Sequence, residues 1–444
     1  MTASTDAPPS GAPTGRELLR FPVGLFAGCA AVLYALVAAA RWLPRNPAYV
    51  AVDGPGQSTP NPATFRGAGL LEGWYRFDGN WYRLVVEEGY RYFGPDNQAS
   101  VAFFPAYPTL MAAVSWVVGD PVFAGIVVTF CCGLGVAVLF YRFCVEKLGV
   151  EVARTALPVL LLYPYAWYLY GAVYADALFV LCVLGAFLLV EHDHPVWAGL
   201  VGAVATAGRP VGAAVLLGLV AVLLERRGVL RLGFLDRARR NPPAAARADG
   251  PVVDLRRLRP ADVGVLLAIG GLALWCLYLW RTFDDPFLFA KVQGAQGWDQ
   301  QAGPETWFKS EWFRIVGDLP GNVGDWLDGV VFPGYDAGQR ALYAIGTSVQ
   351  GVFLLGALAL SPLVLKRLGW GYAVYVLAVL GIPLLGSKDF QGTGRYLLAA
   401  FPCFVMLADL LLERDVFRRR VWFPASVTLL VVWTSFYARG YYVA

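Results

Sequence analysis

The sequence predicts an all-α polytopic membrane protein, and three observations carry that prediction. Of its 444 residues 57% are hydrophobic, only 15% are charged, and the mean hydropathy is +0.53. A soluble domain carries about 25% charged residues. Many segments are apolar all round rather than on one face, as in the run GLFAGCAAVLYALVAAA that follows Val23. Such a segment is accommodated only by lipid or by burial among neighbouring helices.

The apolar segments fall at 21–43, 103–119, 122–144, 153–170, 172–190, 196–224, 261–281, 341–364, 368–386, 395–412 and 421–440. Both readings of the 103–224 region give eleven crossings. In one, 103–119 spans the membrane and 196–224 is a single kinked helix. In the other, 103–119 lies at the membrane surface and 196–224 is two short helices turning at Arg209–Pro210. The second is favoured, because an Arg-Pro step in mid-membrane is costly. Residues 1–20 form a polar N-terminal tail, rich in Ser, Thr, Ala, Pro and Gly over 1–15, that is expected to be disordered. The apolar run after Arg20 is too long for a signal-peptide core and reads as a retained first helix. Residues 21–444 then make up the transmembrane domain.

Orientation follows from arginine placement. The stretch 225–260 contains Arg226, Arg227, Arg231, Arg237, Arg239, Arg240, Arg247, Arg256, Arg257 and Arg259 and is expected to be cytoplasmic. The same side is expected for Lys366–Arg367, for Arg418–Arg420 and for the N-terminus with Arg16 and Arg20. Loops 44–102 and 282–339 then face outward.

The seven cysteines all lie inside apolar segments, which gives neither a disulfide framework nor a zinc motif. His192 and His194 in EHDHP lack further ligands nearby and read as a solvated turn, so no metal is expected. The net charge of +4 gives no basis for a nucleic-acid partner.

The outer loop FRGAGLLEGWYRFDGNWYRLVVEEGYRYFGPDNQASVAFFPAYP is dense in aromatics around Asp78. A carboxylate in that setting can gain basicity by desolvation and serve as a general base toward a hydroxyl. The plainer alternative is an aromatic belt with Asp78 as the turn residue before Gly79. Further polar residues stand at the outer ends of helices: Asp176 in YADA, Arg209 in GRP, Gln296 and Trp298 in AQGWD, and Lys388 and Arg395 in SKDFQGTGRY. Cations there suit a lipid phosphate, Arg as a bidentate partner and Lys as a point charge. Snorkelling to head groups is the alternative for any one of them.

FDGNWY (Phe77–Tyr82), Gly89–Tyr90 and AFFPAYP (Ala102–Pro108) together resemble the PIG-V family of GPI mannosyltransferases and its bacterial relatives, in the GT-C class of membrane glycosyltransferases. The resemblance continues at Tyr174–Asp176, Arg209–Pro210, Gln296–Trp298 and Gly394–Pro402. Phe77 stands where the family usually has Trp, and Asp176 where it usually has Glu.

The resemblance implies a GT-C-like fold with juxtamembrane helices in the first outer loop. It implies a polyprenyl-phosphate-linked mannose as donor and Asp78 as catalytic base. Arg209, Lys388 and Arg395 are expected at the donor phosphate. Trp81, Tyr82, Tyr107, Asp176, Gln296, Trp298 and Tyr396 are expected around the substrates. A single displacement needs one base and cations for the leaving phosphate, inverts the anomeric carbon, and is expected to proceed without a metal cofactor. The acceptor stays open among a glycan, a lipid and a protein. The Ala-, Gly- and Arg-rich composition points to the plasma membrane of a high-GC bacterium. A transporter or lipid flippase is the rival reading. It is disfavoured by the absence of an evident internal repeat and by polar residues gathered at one membrane face rather than at the midplane.

Overall fold

The computed structural model describes residues 15–46, 69–233, 235, 251–295, 298, 300, 303–332 and 335–443. It is 77% helical, with two short antiparallel hairpins as its only strands among the described residues. Five helical stretches there are long and apolar enough to cross a membrane: Glu17–Ala40, Pro121–Leu148, Pro260–Phe283, Ala337–Arg367 and Asp415–Ala438. A sixth is broken, with Thr393–Ala399 and Phe401–Leu412 bent by 84° around Ala400. The chain is an integral membrane protein.

In chain order the helices that position the site are α1 (Gly15–Ala40), α2 (Gly79–Glu88), α3 (Ala106–Val118), α4 (Pro121–Leu148), α5 (Val150–Leu161), α6 (Asp176–Glu191), α7 (Pro195–Thr206) and α8 (Ala213–Arg227). After them come α9 (Gly270–Phe283), α10 (Ala337–Arg367), α11 (Trp370–Gly386), α12 (Phe401–Leu412) and α13 (Phe423–Ala438).

Several apolar segments are not continuous helices. The 196–224 segment is α7 and α8, separated by a turn through Gly208–Arg209–Pro210, the second of the two arrangements weighed from sequence. Pro210 fixes φ and has no N–H to continue a helix, so the turn forms where the Arg-Pro step stands. The 13 residues of α3 reach only about 20 Å at 1.5 Å per residue, short of a hydrocarbon core of about 30 Å.

Segment 153–170 differs from the expected span. Helix α5 ends at Leu161, and residues 162–175 form a buried irregular strip with one 3₁₀ turn, Ala166–Leu169. Pro158 and Pro164 weaken the helix there. Non-helical backbone at membrane depth persists only where its polar groups find protein partners. Here the Thr129 hydroxyl donates to the Ala172 carbonyl (2.9 Å), the Tyr34 hydroxyl to that of Tyr170 (3.1 Å), and the Val173 N–H to that of Trp74 (3.2 Å). The strip lies directly on α4: a Cβ on Gly133 would stand 1.7 Å from the Leu169 carbonyl oxygen, so only glycine fits.

Helices α6, α8 and α11 run between two unlike ends. At one end Arg226 donates to Glu191, and Arg227 pairs with Asp193 (2.5 Å) and with buried Asp262 (2.8 Å). Glu225 accepts the backbone N–H groups of Trp370 and Gly371. His192 belongs to this end and lies 3.3 Å from Glu146. At the other end lie Asp176, Arg209 and Gly386, with the loops that form the cavity.

Candidate active site

The motif FDGNWY is built as a turn that leads into a helix. Phe77 adopts left-handed backbone (φ 50°), uncommon for a bulky side chain, and Asp78 occupies the N-cap of α2. The Asp78 side chain makes no cap bond and is directed elsewhere. A Cβ on Gly79 would lie 3.3 Å from the Val173 carbonyl oxygen, so the glycine lets this turn settle on the irregular strip.

The turn is tied down by Arg76. This buried guanidinium donates to the carbonyls of Ala438 (3.0 and 2.8 Å), Glu72 and Tyr75, and it pairs with the Glu72 carboxylate. The first loop is thereby fastened to the end of α13. Asn80 accepts from the Tyr75 hydroxyl (2.7 Å) and from Arg83.

The turn opens into a cavity of about 740 Å³. Its wall brings together Asp78, Tyr82, Arg209, Trp298, Arg395 and Tyr396, six of the residues singled out from sequence. Asp78 Oδ2 accepts from Arg395 Nη1 at 2.9 Å, and the Asp78 N–H donates to the Tyr174 hydroxyl at 3.2 Å. The Arg395 guanidinium lies over the Tyr174 ring (5.1 Å) and the Tyr396 ring (5.5 Å), and its buried Nε has no hydrogen-bond partner among the described residues. Arg209 pairs with buried Asp176 and stacks on Tyr396 at 4.3 Å. Two acid–guanidinium pairs therefore flank one tyrosine ring.

The remaining expected residues stand differently. Trp81 is buried behind the wall, stacked on Phe103 (5.7 Å) and 5.9 Å from Trp298. Tyr107 is fully buried, donates toward the Gly125 carbonyl (2.9 Å), and packs edge-on against Tyr82 (4.9 Å). Asp176 reaches the cavity only through Arg209. Lys388 is half-buried and is not on the cavity wall, and Gln296 lies outside the described residues. Burial raises the Tyr82 hydroxyl well above its ordinary value, which makes it a neutral donor.

Three contributions were missed by sequence reasoning. Lys291, Gln293 and Gln300 line the cavity from the loop 282–339, with Lys291 paired to Asp285 at 2.6 Å. Tyr442 lines it from the chain end and packs edge-on against Phe77 (4.7 Å). No periodicity or motif marks these residues, and their proximity depends on loop closure.

Lys309 is the third. It is 6% exposed, and its ammonium donates to the carbonyls of Leu384 and Ser387, at the end of α11, while lying over the Phe390 ring. Burial pulls its pKa down to about 8, against the attraction of Asp389. Asp389 itself accepts from the Tyr343 hydroxyl (2.6 Å) and the Gln391 N–H (2.7 Å). This contact fastens the loop 282–339 to the segment that carries Arg395.

No family model and no curated protein matches the sequence. Among solved structures, the chain is similar to the oligosaccharyltransferase of Archaeoglobus fulgidus. Against the complex with zinc and sulfate the identity is 14% and the TM-score 0.42, over 94% of this chain and 53% of that one. Against the complex with an inhibitory peptide and a dolichol-phosphate the identity is 12% and the TM-score 0.42, over 95% and 56%. The chain thus spans about half the length of these structures.

Proposed function

We propose that the protein is a GT-C-type membrane glycosyltransferase that moves a sugar, mannose by the PIG-V resemblance, from a polyprenyl-phosphate-linked donor to an acceptor hydroxyl on the extracytoplasmic side. The observation that carries this reading is the meeting in one cavity of the FDGNWY carboxylate, paired with Arg395, a second guanidinium on Arg209, and an aromatic wall.

The reaction is a single displacement. The acceptor oxygen forms a bond to the anomeric carbon, and Asp78 takes the hydroxyl proton. The bond from the anomeric carbon to the phosphate oxygen breaks, and the lipid phosphate leaves with the electron pair. Preorganised cations aimed at that phosphate are worth most in a site that excludes water. Arg395 and Arg209 are suited to this role, and Lys291 supplies a further cation on the wall. With an inverting displacement, a β-linked donor gives an α-linked product.

The Asp78–Arg395 pair has a mechanistic consequence. A donor phosphate at Arg395 competes with Asp78 for the same guanidinium. Donor binding then frees the carboxylate oxygen for the acceptor proton, so the base is exposed only when there is a sugar to transfer.

The test is incubation of purified protein in proteoliposomes with polyprenyl-phosphate mannose and with polyprenyl-phosphate glucose, followed by mass spectrometry of the extracted lipids. Consumption of the mannose donor with release of polyprenyl phosphate is the expected result. Consumption of neither donor, together with solute or lipid flux, would replace this reading with the transporter.

A further inference from the structure

A second depression, of about 330 Å³, lies at the other end of the molecule, between α5 and the last transmembrane helix. Its wall is graded. Arg154, Arg418 and Arg419 stand at one end beside Thr155, and Pro158, Leu162 and Phe423 continue further in. The two helices run side by side in the same direction here. The Arg418 guanidinium donates to the Thr155 hydroxyl (3.3 Å), and the Ser426 hydroxyl donates to the Leu162 carbonyl (2.7 Å). From Thr155 to Leu162 the groove therefore runs about 10 Å along α5.

The local backbone has a cause. Pro424 has no N–H to give to the carbonyl four residues earlier, and the turn before it, Arg418–Trp422, is a π-helix. Such turns often mark functional positions. Here the turn presents consecutive arginines at the mouth of the groove.

The charge is in surplus. Arg418 and Arg419 share one carboxylate, Asp415. Arg154 is exposed and makes no hydrogen bond or ion pair with any described residue. Three guanidiniums against one carboxylate leave two positive charges over an apolar floor. Phe423 belongs to the stretch Asp415–Ala438, which is long and apolar enough to cross a membrane.

We infer that this groove holds an anionic phospholipid of the leaflet opposite the catalytic cavity. The headgroup phosphate sits between Arg154 and Arg419, and an acyl chain lies along Pro158, Leu162 and Phe423. A zwitterionic lipid leaves the surplus charge uncompensated, and a soluble anion leaves the apolar floor bare. Basic pockets between helices on the cytoplasmic side bind anionic head groups for these reasons.

The experiment uses the full chain in a zwitterionic detergent, with phosphatidylglycerol, phosphatidylcholine or inorganic phosphate added. Lipid retention is read by native mass spectrometry and stability by thermal unfolding. Wild type is expected to retain phosphatidylglycerol in preference to phosphatidylcholine and to gain Tm from it, and to gain none from inorganic phosphate. Arg154→Gln combined with Arg419→Gln should retain roughly tenfold less phosphatidylglycerol. Should the double variant unfold in phosphatidylcholine, Arg154→Gln alone gives the same reading, because its side chain bonds none of the described residues. Retention by the variants equal to wild type overturns the site. So does indifference of the wild type to headgroup charge. An equal Tm gain from inorganic phosphate overturns its identity as a lipid site.

Discussion

Asp78 is held by a left-handed turn on one side and by Arg395 on the other, and the first prediction belongs to it. Asp78→Asn preserves shape but cannot take a proton, so turnover should fall roughly 10²–10⁴-fold or more while donor binding persists. Glu87 and Glu88 are the nearest rivals in the loop. They pair with Arg83 (3.2 Å) and Arg91 (3.1 Å) at the surface of α2, away from the cavity wall. Their Gln variants should keep most of the turnover, and a collapse there with Asp78→Asn near normal would move the base. Among the cations, Arg395→Ala removes a charge-assisted bond worth roughly 1.5–3 kcal/mol and should weaken donor use about tenfold or more. Lys388→Ala and Lys291→Ala, compared by donor KM, decide which lysine serves the phosphate. Asp176 makes a different prediction. Its loss leaves the Arg209 charge buried and unpaired, so Asp176→Ala should destabilise the protein by roughly 3–5 kcal/mol. The double variant with Arg209→Ala should recover part of that, as read by thermal unfolding. A single-variant Tm equal to wild type would mean that the pair does not hold the site.

At the scale of elements, the cavity is closed by loops that are pinned rather than packed. The loop 282–339 is attached through Lys309, whose ammonium caps the carbonyl end of α11, where a helix favours a cation. The folded pKa of about 8 lies below the ordinary 10.5. Below about pH 8 the lysine is charged in both the docked and the free loop. Between pH 8 and 10.5 the free loop binds more protons than the docked one, so docking becomes more favourable as pH rises through that window. Hydrogen-exchange protection of Ser310–Gly317, corrected for intrinsic rate, should therefore grow from pH 8 to 10 in wild type. It should stay flat in Lys309→Met, and an unchanged slope in that variant would assign the effect to another group. The elements themselves were legible in different degrees. Apolar runs without proline near their centres, such as α4, read directly as helices. The 153–170 run did not, because hydropathy registers apolar side chains and is blind to a backbone that leaves the helix at Pro158–Pro164 and satisfies its carbonyls on Thr129 and Tyr34.

At the scale of the whole molecule, the two ends are chemically unlike, and the topology read from arginine placement can be tested on described positions. Glu305→Cys in the loop 282–339 should react with a membrane-impermeant thiol reagent in intact cells, above the wild-type background. Arg256→Cys at the basic end should react only after lysis. The reverse pattern would invert the protein in the membrane and put the cavity on the cytoplasmic side. What the sequence by itself determined is the class of molecule: an all-α membrane protein with its arginines massed in certain loops and an aromatic first loop built around Asp78. Those properties depend on composition and on runs of neighbouring residues. Only the tertiary structure decided which charges meet. Asp78 and Arg395 are 317 positions apart, and Asp176 and Arg209 are 33 apart. The approach of each pair depends on where α6 begins, on the break between α7 and α8, and on the bend at Ala400. It also decided that Lys291 and Tyr442 reach the cavity and that Tyr107 and Trp81 stand behind it. The physical reason is that hydropathy fixes how much of the chain is buried, whereas the turns at Phe77, Arg209–Pro210 and Ala400 fix where each polar group points once it is there.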